Sequence, residues 1–211
     1  QTEEAATGIA NILLSEGDNR IIVVPGANYL LTEANIKRMK ETIQQSKFVI
    51  MQLEIPIPVV KYTLELCREL NVPVLLNPAP ASGFQLEFMD YVAYLTPNET
   101  ECELIFGQNM EATLEKYPNK LIVTLGSEGA RYFDGTKHIL VPGFKTTAVD
   151  TTGAGDTFNG ALAHALGQSL SLEEAVRYAN ASASLSVEKF GAQGGMPSHT
   201  EVVKRLEGVS N

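Results

Sequence analysis

Short apolar runs alternate with amphipathic segments along most of the chain. Near-continuous runs of Val, Ile and Leu predict buried strands over residues 47–53, 72–77, 91–95 and 120–125. Helical periodicity and helix-start residues predict helices from about residue 32, and over 58–70, 99–106, 154–166, 172–189 and 200–206. Strands that alternate with helices are typical of an α/β fold, here a doubly wound, mainly parallel sheet flanked by helices.

Two β-hairpins interrupt this alternation. Residues 6–14 and 20–24 are rich in Ile and Val and enclose the turn sequence Glu16-Gly17-Asp18-Asn19, which predicts a small hairpin near the N-terminus. Residues 130–133 and 138–141, separated by Asp134-Gly135, predict a second one. We therefore expect one domain over residues 1–211, with the hairpin of residues 6–24 inside it.

The bulk composition excludes several classes of function. The 211 residues carry a formal net charge of −9, which repels nucleic acid. The longest apolar runs are too short to cross a bilayer, and no segment resembles a signal peptide. Two cysteines, Cys67 and Cys102, cannot form a disulfide framework, so we expect free thiols and a cytoplasmic protein without a membrane partner.

The segment from Asp150 to Ala161, with the sequence DTTGAGDTFNGA, carries the clearest chemistry. Gly153 and Gly155 let the backbone approach a ligand closely, and the unpaired N–H groups at the start of the following helix form an anion site. A carboxylate there, Asp156, can accept a proton from an attacking alcohol. The same residues are also compatible with a tight turn and a helix cap, because the spacing matches neither of the common phosphate-loop motifs.

This segment is similar over its whole length to the C-terminal signature of the ribokinase family of carbohydrate kinases. In that family the aspartate of the signature is the catalytic base, and the preceding amides hold the transferring phosphate. The resemblance implies that Asp156 is the base and that it contacts both the sugar and the nucleotide. It also implies that Gly153, Ala154 and Gly155 form the anion hole, with Gly155 against the nucleotide.

The sequence TPNETE at residues 96–101 is similar to the N-x-x-E motif of the same family. From the residues alone, it is equally a proline turn with carboxylates in the first turn of a helix. The resemblance places Asn98 near the nucleotide phosphates and Glu101 near Mg²⁺, with water between Glu101 and the metal ion as an alternative to direct contact.

A glycine-rich turn follows the strand predicted at 120–125. It could be an ordinary turn, whereas the resemblance makes it a loop that lines the ATP site at the carboxyl end of the sheet. The implied nucleotide-binding positions are Thr124, Leu125, Gly126, Ser127, Glu128 and Gly129. Asn180, in a later helix, matches a family position near the adenine.

The best candidate for sugar recognition is Glu54, which follows the buried strand predicted at 47–53. A carboxylate at such a strand end is costly unless it is exposed or hydrogen-bonded, and sugar hydroxyls are suitable donors. An exposed strand end without a ligand is the alternative. The sequence MQLE at residues 51–54 and the later NPAPA at 77–81 resemble ribokinases more than fructokinases or adenosine kinases.

Ribokinases of this kind also use a monovalent cation, K⁺, beside the anion hole. The matching positions are Asp150, Thr152, Ser186, Lys189, Gly191 and Gly195. Most of these contacts would come from backbone carbonyls. Gly195 departs from the hydroxyl residue expected there, which places one ligand in doubt.

The resemblance extends along the chain but lacks the family's N-terminal part. The Asp-bearing first strand and the Gly-Gly-Asn segment, which bind the sugar in the family, have no counterpart here. The resemblance implies an ATP-binding transferase that uses Mg²⁺ to phosphorylate ribose at its primary hydroxyl, with the N-terminal hairpin as a lid and as a homodimer contact. A catalytically inactive nucleotide-binding fragment, and a family kinase for another sugar or nucleoside, are the alternatives.

Overall fold

The computed structural model describes residues 3–15 and 18–208. The chain begins with an antiparallel hairpin of β1 (Ile9–Ser15) and β2 (Asp18–Val24), in which Ile9 pairs with Val24. The predicted hairpin is thus present, although Glu16 and Gly17 of its turn lie outside the described residues. Its two strands pair with each other and with no other described strand.

The central sheet has a parallel part and an antiparallel part. Its parallel strands lie in the order β3 (Val49–Met51), β4 (Val74–Leu76) and β5 (Tyr94–Leu95). The antiparallel strands are β6 (Ile122–Thr124), β7 (Gly129–Phe133) and β8 (His138–Pro142). Parallel bridges from Leu95 to Leu121 and from Asn98 to Thr124 join the two parts.

Eight α-helices accompany these strands in the described part of the chain. They are α1 (Glu33–Arg38), α2 (Lys40–Gln44), α3 (Ile57–Glu69), α4 (Glu99–Phe106), α5 (Met110–Lys116), α6 (Ala154–Gly167), α7 (Leu172–Ser186) and α8 (His199–Leu206). Four of them begin with a capping box, in which two residues three positions apart satisfy each other's backbone N–H groups. The local sequence therefore fixes where these helices start.

The sheet is covered on both faces, so its strands alternate between two apolar cores. Val74 and Leu76 of β4 pack in one core with α3, whereas Leu75 packs in the other with α6 and α7. Val123 and Ile122 of β6 divide in the same way. This arrangement confirms the predicted α/β architecture with a parallel sheet flanked by helices.

Several element bounds differ from the sequence prediction. The helix expected from about residue 32 is divided at Met39 into α1 and α2, and α5 was not predicted. The strand expected over 91–95 is reduced to Tyr94–Leu95, because Tyr91 and Val92 both donate to the carbonyl of Phe88 and continue a 3₁₀ turn. Helix α7 ends at Ser186 and not at Lys189, since the next carbonyl, that of Val187, accepts from Val149 and Asp150.

Both cysteines are free, as predicted, and both are buried. Burial raises the pKa of each thiol to about 11, so both stay protonated near neutral pH. Across residues 3–15 and 18–208, no helix is both long enough and apolar enough to span a membrane.

Candidate active site

The turn before α6 depends on a glycine. Gly153 adopts a left-handed conformation with φ of 79°, and a Cβ at this position would lie 2.9 Å from the Cα of Ala192. The chain can therefore reverse tightly here, and Thr157 donates to the Gly153 carbonyl at 2.9 Å to close the first helical turn. The result is a helix N-terminus presented at the end of a tight loop.

Gly155 and Asp156 are exposed at this N-terminus. A Cβ built on Gly155 would meet no protein atom within 4 Å, so this glycine is not required by internal packing. First-turn N–H groups of a helix lack partners within the helix, and they carry the positive end of its dipole. The Ala154 N–H donates to the Thr151 carbonyl at 3.2 Å, whereas those of Gly155 and Asp156 have no backbone acceptor in the described part of the chain. The start of α6 is thus open to an anion, with the carboxylate of Asp156 beside it.

Asp150 organises the loop that leads into α6. Its carboxylate accepts from the Thr152 N–H at 2.9 Å and from the Gly191 N–H at 2.9 Å. The Thr152 hydroxyl and these two N–H groups lower the pKa of Asp150 below its usual range, so it is ionised at neutral pH. One carboxylate therefore ties the helix-start loop to the later loop that begins at Gly191.

That later loop packs against the end of α7. The Gly195 N–H donates to the Gly191 carbonyl at 3.3 Å, and a Cβ on Gly195 would lie only 2.0 Å from the carbonyl oxygen of Ser186. The hydroxyl residue expected from the family at position 195 would therefore collide with the backbone here. Lys189 is exposed and forms an ion pair with Glu201 at 3.8 Å. The structure thus brings Asp150, Thr152, Ser186, Gly191 and Gly195 together, whereas the Lys189 ammonium group is engaged elsewhere.

The N-x-x-E motif forms a capping box at the start of α4. Asn98 Oδ1 accepts from the Glu101 N–H at 2.8 Å, and Glu101 Oε2 accepts from the Asn98 N–H at 2.9 Å. Burial raises the pKa of Glu101, and the hydrogen bond from Asn98 opposes that rise only in part. A partly buried carboxylate whose charged form is disfavoured is suited to an interaction with a cation.

The glycine loop predicted for ATP lies directly beside this capping box. Thr124 forms the bridge to Asn98, and the Thr124 N–H donates to the Pro97 carbonyl at 3.0 Å. The loop is closed by the Leu125 N–H, which donates to the Gly129 carbonyl at 2.8 Å. Gly126, Ser127 and Glu128 between them are exposed, while Leu125 and Gly129 are buried.

Asn180 has a role in the fold that the sequence did not predict. It is buried in α7, and its side-chain amide donates to the carbonyls of Val141 at 2.9 Å and Pro142 at 3.2 Å. It therefore ties α7 to β8, close to where Gly143 packs against the Ser127 carbonyl of the glycine loop.

Glu54 follows β3, and its side chain is exposed. Within residues 3–15 and 18–208, its carboxylate forms no hydrogen bond or ion pair. The preceding residue is fixed, because the Leu53 N–H donates to the Ala79 carbonyl at 2.9 Å. The Glu54 carboxylate is thus available to a ligand, and the backbone beside it is held in place by the Leu53–Ala79 hydrogen bond.

A buried polar pair beneath the site was not predicted from the sequence. Thr96, at the end of β5, donates its hydroxyl proton to Asn159 of α6 at 2.6 Å. Asn159 lies one helical turn after Asp156, within the signature segment itself. Its position in that segment was a usable signal, since polar residues on the buried face of a helix require partners.

Asp156 also lines a cavity of about 270 Å³ between α6, α7 and the loop before α8. The hydroxyl of Thr157, which lines the same cavity, is buried without a hydrogen-bond partner in the described part of the chain. Across that same part, no group of three or more His, Cys, Asp or Glu side chains is arranged to hold a metal ion.

The sequence and the fold were compared with those of known proteins. Residues 1–199 match the pfkB family carbohydrate kinase profile. The chain belongs to the pfkB family of carbohydrate kinases. Among curated relatives of this kinase, the ribokinases of Lactococcus lactis and Bacillus subtilis are 47% and 46% identical over 207 and 201 residues. These matches cover 98% and 95% of this chain and 69% of each relative.

Solved structures agree with the sequence relatives. A ribokinase from Thermotoga maritima superposes with a TM-score of 0.85 at 39% identity, which covers 96% of this chain and 70% of that one. The structure of Arabidopsis thaliana ribokinase complexed with ribose and ATP has a TM-score of 0.81 at 32% identity, over 97% of this chain and 70% of that one. The kinase therefore has the fold of these enzymes over nearly its whole length, and it spans about two thirds of theirs.

Proposed function

We propose that the natural protein that carries this sequence phosphorylates ribose at its primary hydroxyl with ATP. The observation that carries the proposal is the exposed start of α6, where Asp156 lies beside an open helix N-terminus. Membership of a carbohydrate kinase family, and relatives named ribokinase at 47% and 46% identity, support ribose as the acceptor.

Asp156 acts as the general base in this proposal. Its carboxylate accepts the proton of the ribose hydroxyl as the hydroxyl oxygen attacks the γ-phosphorus of ATP, and the bond from that phosphorus to the β,γ-bridging oxygen breaks to release ADP. The backbone N–H groups of Gly153 and Gly155, and that of Ala154 once it exchanges the Thr151 carbonyl for the ligand, stabilise the negative charge that spreads over the transferring phosphoryl oxygens. Because the protein forms no covalent bond to the phosphoryl group, positioning and electrostatics supply the rate enhancement.

The nucleotide would bind between the α6 start and the glycine loop. Asn98 lies next to Thr124, so both can face the phosphates, and the exposed Gly126, Ser127 and Glu128 can line the adenosine. Asn180 supports this surface from below through its bonds to β8. Its contact with the adenine would then be indirect, through the strand end that it holds.

Two cations belong to the proposal. Glu101, whose pKa burial raises, would hold Mg²⁺ directly or through water, and the bound ion would neutralise charge on the ATP phosphates. The loops that Asp150 joins fit K⁺, because Gly195 leaves the Ser186 carbonyl free of any side chain. Bound K⁺ would add positive charge beside the anion hole.

Sugar recognition would use Glu54 and the β1–β2 hairpin. An unengaged carboxylate on a fixed backbone can accept hydrogen bonds from two sugar hydroxyls. The hairpin carries exposed apolar residues such as Ile9, Ile22 and Val24, each at least 51% exposed, and these would cover the sugar and contact a second copy in a homodimer. We expect this protein to act in the cytoplasm, without nucleic-acid or membrane partners.

A substrate panel tests the proposal. The natural protein is assayed for ADP release with ribose, 2-deoxyribose, fructose and adenosine, with and without Mg²⁺, and in K⁺ or Na⁺ buffer. Ribose should give the highest kcat/KM, turnover should require Mg²⁺, and K⁺ should stimulate it. A higher kcat/KM for another acceptor would transfer the proposal to that sugar or nucleoside, and no turnover with any acceptor would contradict it.

A second candidate applies to the 211 residues on their own. The matched regions cover 69% of each curated relative, so about a third of each relative lies outside them, and the sugar candidates within this chain are few. The isolated chain would then bind adenine nucleotide without phosphorylating ribose. Intact mass and N-terminal sequencing of the natural protein show directly which length applies.

A further inference from the structure

Two linked hydrogen bonds, one partly buried and one fully buried, lie beneath the proposed active site. The Asn77 side-chain amide donates to the Thr96 carbonyl at 2.9 Å, and the Thr96 hydroxyl donates to Asn159 Oδ1 at 2.6 Å. Thr96 is 1% exposed and Asn159 is 3% exposed. Polar groups buried this deeply are stable only when paired, so the arrangement is strongly specified.

The three residues come from three different elements. Asn77 follows β4, Thr96 follows β5, and Asn159 belongs to α6. Thr96 lies two residues before Asn98, which caps α4 at the proposed phosphate and Mg²⁺ turn. The Thr96–Asn159 bond therefore links that turn to the helix that carries Asp156, and it does so within one turn of the carboxylate.

Among its other contacts, α6 accepts one hydrogen bond at its far end, where the exposed Lys47 ammonium group donates to the Gly167 carbonyl at 2.9 Å, and it packs through apolar residues along its length. Its buried residues, such as Phe158 and Leu162, belong to the apolar core formed with α7 and the sheet. Apolar packing holds the helix against the sheet but is non-directional, so it resists separation more than a small sliding motion. A hydrogen bond of 2.6 Å between buried side chains has a defined length and angle, and it sets the position of α6 along the sheet.

We propose that Thr96 and Asn159 are a positioning pair, which holds the base on α6 in register with the phosphate turn at Asn98. The proposal rests on the proposed kinase function. In phosphoryl transfer, a displacement of about 1 Å between reacting groups can cost roughly 10²-fold in rate, even when both substrates still bind. Loss of the pair should therefore lower kcat far more than it raises the KM for ATP.

Three substitutions test the pair in the natural protein. Thr96→Val removes the hydroxyl and keeps the shape, Thr96→Ser keeps the hydroxyl, and Thr63→Val removes another buried hydroxyl, one that donates within α3 at 2.7 Å. Thr96→Val should lower kcat by roughly 10²-fold with the KM for ATP changed less than about threefold. Thr96→Ser should restore most of kcat, and Thr63→Val should leave it near the unmodified value although it too loses a buried hydrogen bond.

A second readout requires no turnover. Backbone amide exchange over residues 157–161, whose N–H groups are hydrogen-bonded in the first turns of α6, should become about tenfold faster in Thr96→Val, the size expected for the loss of one buried hydrogen bond. It should stay unchanged in Thr96→Ser and Thr63→Val. If the unmodified protein shows no kinase activity, the proposed function is wrong. The amide exchange rates then still show whether the Thr96–Asn159 pair holds the start of α6. The pair is overturned if Thr96→Val matches Thr63→Val in exchange over residues 157–161, or if Thr96→Ser loses as much kcat as Thr96→Val.

Discussion

The two halves of the proposed active site are built differently. The phosphate side comprises the start of α6, the Asn98–Glu101 turn and the glycine loop at 126–129, and each part is closed by its own hydrogen bonds. The sugar side comprises Glu54 and the β1–β2 hairpin. There, the strands pair only with each other among the described residues, and the carboxylate has no partner in that same part of the chain.

This difference follows from the chemistry of the two ligands. Phosphate can be held by backbone N–H groups at a helix start, so a short local sequence encodes the whole site. A sugar presents several hydroxyls in different directions, so its site requires side chains from several separate elements. We therefore expect the phosphate side to work within this chain, and the sugar side to depend more on contacts beyond it.

The largest expected effect concerns Asp156, where the two halves meet. Asp156→Asn should lower kcat by roughly 10²–10⁴-fold, the usual contribution of a positioned general base, because the amide cannot accept the hydroxyl proton. Binding of ATP, measured by calorimetry, should change little, since the two side chains have nearly the same shape. Asp90→Asn, at another exposed aspartate, is the control. A variant that keeps more than about a tenth of kcat would remove Asp156 from the role of base.

Glu54 tests the sugar side alone. Glu54→Ala should raise the KM for ribose roughly ten- to hundred-fold, which corresponds to about 1.5–3 kcal/mol for a charge-assisted hydrogen bond. The KM for ATP should stay nearly constant. Glu69→Ala is a matched control, because Glu69 is also exposed and forms only a surface ion pair with Lys40. An equal rise in both KM values would mean that Glu54 supports the fold instead of the sugar.

Gly155 tests the phosphate side alone. Gly155→Val should weaken ATP binding about tenfold, or about 1.4 kcal/mol, because the new side chain occupies space that a phosphate must enter. Folding should not suffer, since a Cβ there meets no protein atom within 4 Å. Gly160→Val is the control, because Gly160 lies in the same helix and has equally open surroundings. Unchanged ATP affinity in Gly155→Val would favour an ordinary tight turn.

The smallest expected effect concerns Glu101. Gln can still form the capping box, so Glu101→Gln removes the charge and keeps the cap. Burial raises the pKa of Glu101 above its ordinary 4.5, so the folded state binds that proton more tightly than the unfolded chain. The stability that this group contributes is present below pH 4.5 and is lost as the pH rises through the raised pKa.

The stability of Glu101→Gln should therefore improve relative to the unmodified protein between pH 4 and pH 7, when denaturant unfolding is followed without Mg²⁺. Its Mg²⁺ requirement for turnover should rise, while Glu99→Gln, in the same first turn but outside the capping box, should leave that requirement unchanged. A pH dependence identical to that of the unmodified protein, together with an unchanged Mg²⁺ requirement, would contradict the proposed role of Glu101.

Apart from α5 and the division of the first helix into α1 and α2, the order of strands and helices was predicted from the sequence, because both are encoded locally. Apolar runs marked β3, β4 and β6, and the Asn98–Glu101 pattern marked the start of α4 as the structure has it. The α6 start was equally clear, since Gly153 and Gly155 precede a long apolar helix. Membership of the kinase family followed from the same signature and is confirmed by the family match.

Tertiary detail could not be predicted in this way. The break at Met39 and the short β5 depend on hydrogen bonds that compete with the local pattern. The hydrogen bonds from Asn180 to β8 and from Thr96 to Asn159 join residues that lie 38 to 63 positions apart in the sequence. No local spacing therefore reveals them. The need for glycine at position 195 arises from a carbonyl nine residues earlier, that of Ser186, which only the folded chain brings within reach.

The most direct test of the contrast between the two halves uses the 211-residue chain by itself. Calorimetry with ATP and Mg²⁺ measures the phosphate side, and a coupled assay of ribose-dependent ADP release measures both halves together. We expect saturable nucleotide binding and a ribose turnover indistinguishable from background. Robust ribose-dependent turnover would contradict the claim that the sugar side depends on further residues. If the folded chain did not bind nucleotide, the claim that the phosphate side is complete within these 211 residues would be wrong.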